Sequence, residues 1–159
     1  MIQKAFKYRL NPTPAQAVLL NQHLGCARFI YNWALSEKIA AYQQDKKRLT
    51  CFDLHKQITV LKKQPSTSWL SQVNAQSLQQ SVNHLDNAFT RFFREKKGFP
   101  KFKSKKNKNS FSCPQGVKTN WTSATVQLPK IGKIKFWNSR QFEGKIKSCT
   151  ISCTRFRPD

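Results

Sequence analysis

Leu78, Val82, Leu85, Phe89 and Phe92 step by four, three, four and three residues, the sustained apolar seam of this chain. Such spacing belongs to an α-helix with one continuous apolar face, and that face has to be covered by other elements. The pattern then breaks at Gly98 and Pro100 and runs into Lys101, Lys103, Lys105, Lys106 and Lys108. Upstream of the break stand Arg91, Arg94, Lys96 and Lys97, and Glu95 is the one acid of residues 89–108. A block of like charge repels itself unless a polyanion is near, so nucleic acid is its natural partner, and a solvated linker is the plainer reading. Phe89 and Phe92 read as the end of the core seam, Gly98-Phe99-Pro100 as a junction, and the lysines beyond as a phosphate track.

Composition favours the polyanion. The 29 Lys+Arg against 7 Asp+Glu give a formal net charge of +22. Self-repulsion on that scale does nothing for folding, whereas phosphate neutralisation with counterion release accounts for it. The cations are spread along the chain rather than gathered on one amphipathic helix, which weighs against a membrane surface. With 159 residues and 38% hydrophobic content the chain holds one ordinary domain, or two small lobes sharing a core. No apolar run approaches membrane-spanning length, and MIQKAFKYRL has no signal-peptide character. Cys26, Cys51, Cys113, Cys149 and Cys153 are odd in number and scattered, with no C-x-x-C. That pattern argues for a reducing compartment and against a disulfide framework or a zinc site.

Residues 2–10 alternate Phe6, Tyr8 and Leu10 with Lys7 and Arg9, the period of a half-buried strand. Thr13, Pro14 and Gln16 predict a helix start with a capping box, and Leu20, Leu24, Ala27, Tyr31 and Leu35 carry one long helix to about residue 44. Gly25 either weakens its middle or admits a neighbouring backbone. Thr50 with Asp53 predicts a second helix, with Leu54, Ile58 and Leu61 buried, after which Trp69-Leu70 dock on the core. Asn74 is the expected N-cap of the third helix. Gln76, Gln79, Gln80, Asn83 and His84 line that helix without charge, and both solvation and hydrogen bonding to base edges fit them. Residues 125–128, 133–137 and 145–154 read as strands between Pro129, Gly132 and Gly144. The first strand has no other sheet to join. The expectation is therefore an α+β fold: a small OB-like or wedge-like β-barrel interrupted by an inserted helical lobe of about three main helices. Its parts would be residues 1–11, the helical lobe 12–108, and the rest of the barrel, 109–159.

Groups for catalysis are scarce. The acids Glu37, Asp45, Asp53, Asp86, Glu95, Glu143 and Asp159 show no spacing suited to metal-assisted cleavage, and no Walker loop, G-x-S-x-G or H-E-x-x-H occurs. His23, His55 and His84 fall on three different helices, as surface or packing residues. No cofactor, metal or small-molecule substrate is implied. Phe99, Phe102 and Phe111, set among lysines, are candidates for base stacking or for lids over the core.

The ordered series KAFKYRLNPTPAQ, GCARFIYNWAL, SLQQSVNHLDNAFTRFF, GFPKFKSKK, LPKIGKIK and GKIKSCTIS resembles the N-terminal half of the TnpB (OrfB-type) proteins of IS200/IS605-like transposons. These are RNA-guided DNA endonucleases, and the resemblance covers essentially the whole chain. It implies a wedge-type barrel and a recognition lobe that hold guide RNA and read a short DNA motif beside the target, while base pairing reads the target itself. Carried onto this sequence, the resemblance implies that His55, Gln76 and Gln79 border the DNA motif and that Lys101, Lys103, Lys105 and Lys106 contact the backbone. Arg91, Arg94 and Lys97 extend the basic surface. The family's RuvC-like nuclease domain and zinc ribbon would lie beyond Asp159, so the chain is expected to bind nucleic acid without cutting it, in a prokaryotic cytoplasm beside the nucleoid. The alternative is a stand-alone helix-turn-helix DNA-binding protein associated with a transposon. A single helix over residues 13–44, without a tight turn, speaks against it.

Overall fold

The computed structural model describes residues 1–153. Its spine is α1 (Pro14–Asp45), a helix of 32 residues. Thr13 Oγ1 accepts from the Gln16 backbone N–H at 3.3 Å, and Gln16 Oε1 accepts from the Thr13 N–H at 3.0 Å, so the expected capping box forms. Gln16 Nε2 also donates to the Lys133 carbonyl at 2.6 Å and ties the helix start to the β part. The helix runs through Gly25 unbroken, and no neighbouring atom lies within 4 Å of where a Cβ would stand. Gly25 thus serves no close backbone approach.

The second capping box, Thr50 with Asp53, opens α2 (Cys51–Lys63). A 3-10 turn, Ser68–Gln72, then seats Leu70 in the core and sets Trp69 edge-on to Phe29 at 5.0 Å. α3 (Ala75–Glu95) follows. Asn74 stands at its N-cap, but the side chain does not cap. Its Nδ2 donates to Ser77 Oγ at 3.1 Å, and its backbone N–H donates to His23 Nε2 at 3.2 Å.

Two cores share α1. Its second half gives Ile30, Ala34 and Leu35 to a helical core with Leu54, Leu78 and Leu85. Its first half gives Leu20, Leu24 and Ala27 to a second core with Phe111, Leu128 and Ile134. The periodic seam of α3 supplies the helical core with Leu78, Val82 and Leu85, and Phe89 packs at its margin.

The β part is antiparallel throughout. β1 (Leu10–Asn11), β5 (Gly132–Phe136), β4 (Thr125–Leu128) and β3 (Lys118–Asn120) form one sheet in that order, while β2 (Asn109–Cys113) pairs with β6 (Cys149–Cys153). The α+β class holds, and the isolated first strand does join the later ones through Leu10↔Phe136 and Asn11↔Lys135. A closed barrel is not what the described residues form: the strands lie in two separate sheets over one core. The strand expected over residues 2–10 shrinks to β1, because beyond Asn11↔Lys135, Leu10↔Phe136 and one bond from Trp137 N–H to the Arg9 carbonyl at 2.9 Å, its partner turns away. The alternation there is used by rings instead. Phe6 stacks on Phe142 at 4.8 Å, and Tyr8 meets Phe136 edge-on at 5.2 Å. The strand expected over 145–154 is confined to β6, since the ladder with β2 starts at the Cys113↔Cys149 pair, and Thr154 lies outside the described residues. Trp137 falls just past β5 and is 64% exposed.

Candidate nucleic-acid interface

Beyond α3 the chain does not leave the surface. Lys96 takes the left-handed conformation (φ 53) that ends the helix, and the N–H groups of Lys96 and Lys97 both bond to the Arg91 carbonyl. Phe99 sets its ring edge-on to Phe89 at 5.4 Å and Phe92 at 5.3 Å, and Pro100 is buried. Three residues on, the Lys103 backbone N–H donates to Asn32 Oδ1 at 2.8 Å, and Asn32 Nδ2 donates back to the Lys103 carbonyl at 2.9 Å. The Lys103 ammonium lies 4.2 Å from the Tyr31 ring centroid. Burial there pulls its pKa below the usual lysine value. Asn109 Nδ2 then holds the Asn107 carbonyl at 2.9 Å, and β2 begins. Residues 96–108 are a docked strap.

The strap separates the predicted lysines by role. Lys101, Lys105 and Lys106 are exposed, whereas Lys103 is half-buried against α1. Arg91, Arg94 and Lys97 are exposed at the carboxyl end of α3. His55, Gln76 and Gln79 gather at its other end. His55 Nε2 lies 3.3 Å from the Gln79 carbonyl, Gln79 is exposed, and Gln76 is half-buried one turn earlier. Along α3, Gln79 and Arg94 are roughly 22 Å apart at the helical rise, so the predicted residues form two groups rather than one. Of the interleaved rings, Phe111 is buried core, Phe99 is held by its neighbours, and Phe102 is 56% exposed with no ring partner among the described residues.

The role of Asn32 and the contact of Lys103 with the Tyr31 ring were not legible in the sequence, because the Asn32 partner is 71 residues away and Tyr31 reads as helix core. Nor were other cation–ring contacts: Arg48 over Phe93 at 5.5 Å, Lys38 over Phe89 at 5.0 Å, and Arg140 over Phe6 at 5.4 Å. The YNW triplet within GCARFIYNWAL was the only local signal, and it looks like helix interior.

Acids do little to balance this surface. Lys38–Asp86 at 3.5 Å is the one salt bridge among the described residues. Asp53 is engaged in its capping box, where the hydrogen bonds from Thr50 lower its pKa. The described residues contain no group of three or more His, Cys, Asp or Glu arranged to hold a metal. None of their helices is long and apolar enough to cross a membrane. Burial raises the Cys26 and Cys149 thiols to about 11, so neither is a thiolate nucleophile near neutral pH.

The profile of the helix-turn-helix domain of IS605-type OrfB proteins matches residues 1–47. InsQ of Escherichia coli (strain K12), which carries the provisional name of an RNA-guided DNA endonuclease, is 33% identical over 149 residues, 94% of this chain and 37% of that protein. A Streptomyces pristinaespiralis protein with the same provisional name is 32% identical over 81% of this chain and 32% of its own length. VsdF of Salmonella dublin, named a virulence protein, is 37% identical over 114 residues, which are 66% of this chain and 96% of VsdF. The chain belongs to the OrfB (TnpB) family of IS605-type transposable elements. It spans about a third of the length of the two endonuclease-named relatives. Within the segment matched to the OrfB helix-turn-helix domain, α1 is the one described helix, and α2 follows only after the loop 46–50.

Proposed function

We propose that this chain is the nucleic-acid-binding region of a TnpB-like RNA-guided DNA endonuclease, holding guide RNA and target-adjacent DNA without a catalytic centre of its own. The observation that carries this reading is the strap: exposed Lys101, Lys105 and Lys106 on a backbone pinned between the helical core and the sheets, with few acids near enough to pair. Those lysines, with Arg91, Arg94 and Lys97, would neutralise phosphates, and Phe102 would stack on an unpaired base. His55 and Gln79, bonded where α2 meets α3, would border the short DNA motif with Gln76 one turn earlier. On this reading residues 12–108 are the recognition lobe. Residues 1–11 and 109–159 are the wedge, built in its described part from two antiparallel sheets over one core.

A second reading, a stand-alone duplex-DNA binder, draws on the helix-turn-helix match and on VsdF, 96% of which lies within the aligned region. Competition binding separates the two. The chain should prefer transcripts of its own element's end over duplex DNA of equal length, and should leave DNA uncut with Mg²⁺ present. Tight, sequence-specific duplex binding without RNA would establish the second reading instead, and Mg²⁺-dependent cutting would overturn the absence of a catalytic centre.

A further inference from the structure

Asn32 lies mid-way along α1, far in sequence from every candidate contact, and its side-chain amide satisfies both backbone groups of one strap residue, at 2.8 and 2.9 Å. An amide that accepts from the N–H and donates to the C=O of the same residue substitutes for a strand partner and fixes that residue's orientation. Pro100, buried, and β2, which pairs with β6 from Asn109 onward, hold the strap on either side. Between these anchors lie exposed Lys101, Phe102 and Lys105. We infer that Asn32 is a positioning residue of the interface: it locks the strap on α1 so that Lys101, Phe102 and Lys105 meet single-stranded nucleic acid already ordered, while Lys103 serves as an anchor and not as a phosphate contact. The inference rests on the strap being the nucleic-acid surface.

Preordering lowers the entropic cost of binding and leaves the number of phosphate contacts unchanged. Salt dependence counts those contacts and separates the two effects. The experiment is fluorescence anisotropy with the full chain and labelled oligo(U) across a KCl series. Asn32→Ala should bind about tenfold more weakly with the wild-type salt slope, because the strap backbone would then be ordered only on binding. Amide hydrogen exchange should rise in residues 101–106 while helical circular dichroism is retained. Lys103→Met, which keeps the backbone bonds, should bind within about twofold of wild type with an unchanged slope, whereas the triple change of Lys101, Lys105 and Lys106 to Ala should lower both affinity and slope. If Asn32→Ala does not fold, Asn32→Asp, which still accepts from the Lys103 N–H, takes its place with the same expected direction. Wild-type affinity in the Asn32 variant, alongside a weakened triple variant, overturns the positioning role and leaves the interface standing. Wild-type affinity in the triple variant overturns the interface itself.

Discussion

His23 is 2% exposed, and both of its ring nitrogens are engaged. Nδ1 faces the Leu19 carbonyl at 2.9 Å, and Nε2 accepts the Asn74 N–H at 3.2 Å, so the partners assign the neutral Nδ1–H tautomer. A proton on Nε2 would confront the N–H that opens α3. Burial lowers the pKa of His23, the Leu19 bond opposes that shift, and Lys130 adds to it. The unfolded chain therefore takes up a proton near 6.5 that the folded chain refuses. This contribution to stability is complete above that value and is lost as pH falls through it toward the lower folded pKa. His84, lowered by desolvation and by Lys103, acts in the same direction. Melting temperature should thus drop between about pH 7.5 and 5.5, with up to about 1.4 kcal/mol of stability per pH unit from buried His23 and less from exposed, solvent-screened His84. His23→Gln should flatten the profile, and an unchanged profile would mean that His23 is not held neutral. At this scale the legible features were the local ones. Thr13 with Gln16 and Thr50 with Asp53 are caps whose partners stand three positions apart. The His23–Asn74 and Asn32–Lys103 bonds span 51 and 71 residues, and nothing in either neighbourhood announces them.

Gly25 poses the next question one level up. It sits inside α1 with open space where a Cβ would go, so it costs helix stability without an evident packing return. Gly25→Ala should stabilise by about 1 kcal/mol and raise the melting midpoint by roughly 2–4 °C, read by thermal denaturation. A loss of stability would show that the helix needs that space. The helices were legible nearly to the residue because a 3.6-residue stripe and a cap are properties of one segment. Strands were legible only in part: β4 covers the expected residues 125–128 and β5 lies within one residue of 133–137, but elsewhere the pattern failed, because a strand exists only where a partner runs beside it. Residues 2–9 have the alternation without the ladder, whereas β2 has the ladder with β6 behind an unremarkable NSFSC sequence. Pairing distance, not pattern, decided both cases.

Across the whole molecule, α1 contributes to both cores, the start of α3 meets β2 through Asn74, Ser77 and Cys113, and the strap returns from the end of α3 to the β part along α1. The basic block of residues 89–108 thus reads as a built surface at the seam of the fold. Its charge was legible from composition alone, and its partition into outward Lys101, Lys105 and Lys106 and inward Lys103 was not, since only the docking on Tyr31 and Asn32 distinguishes them. If those outward lysines neutralise phosphate, salt must weaken binding through them. The most direct measurement is the affinity of the chain for single-stranded RNA of about 20 nucleotides as KCl rises from about 50 to 300 mM, for wild type and for the triple change of Lys101, Lys105 and Lys106 to Ala. Affinity should fall steeply with salt in the wild type, and the log–log slope should be shallower by about 2 in the triple variant, as expected for three phosphate contacts at about 0.7 each. A slope that is flat, or the same in both proteins, would mean that these lysines do not meet phosphate.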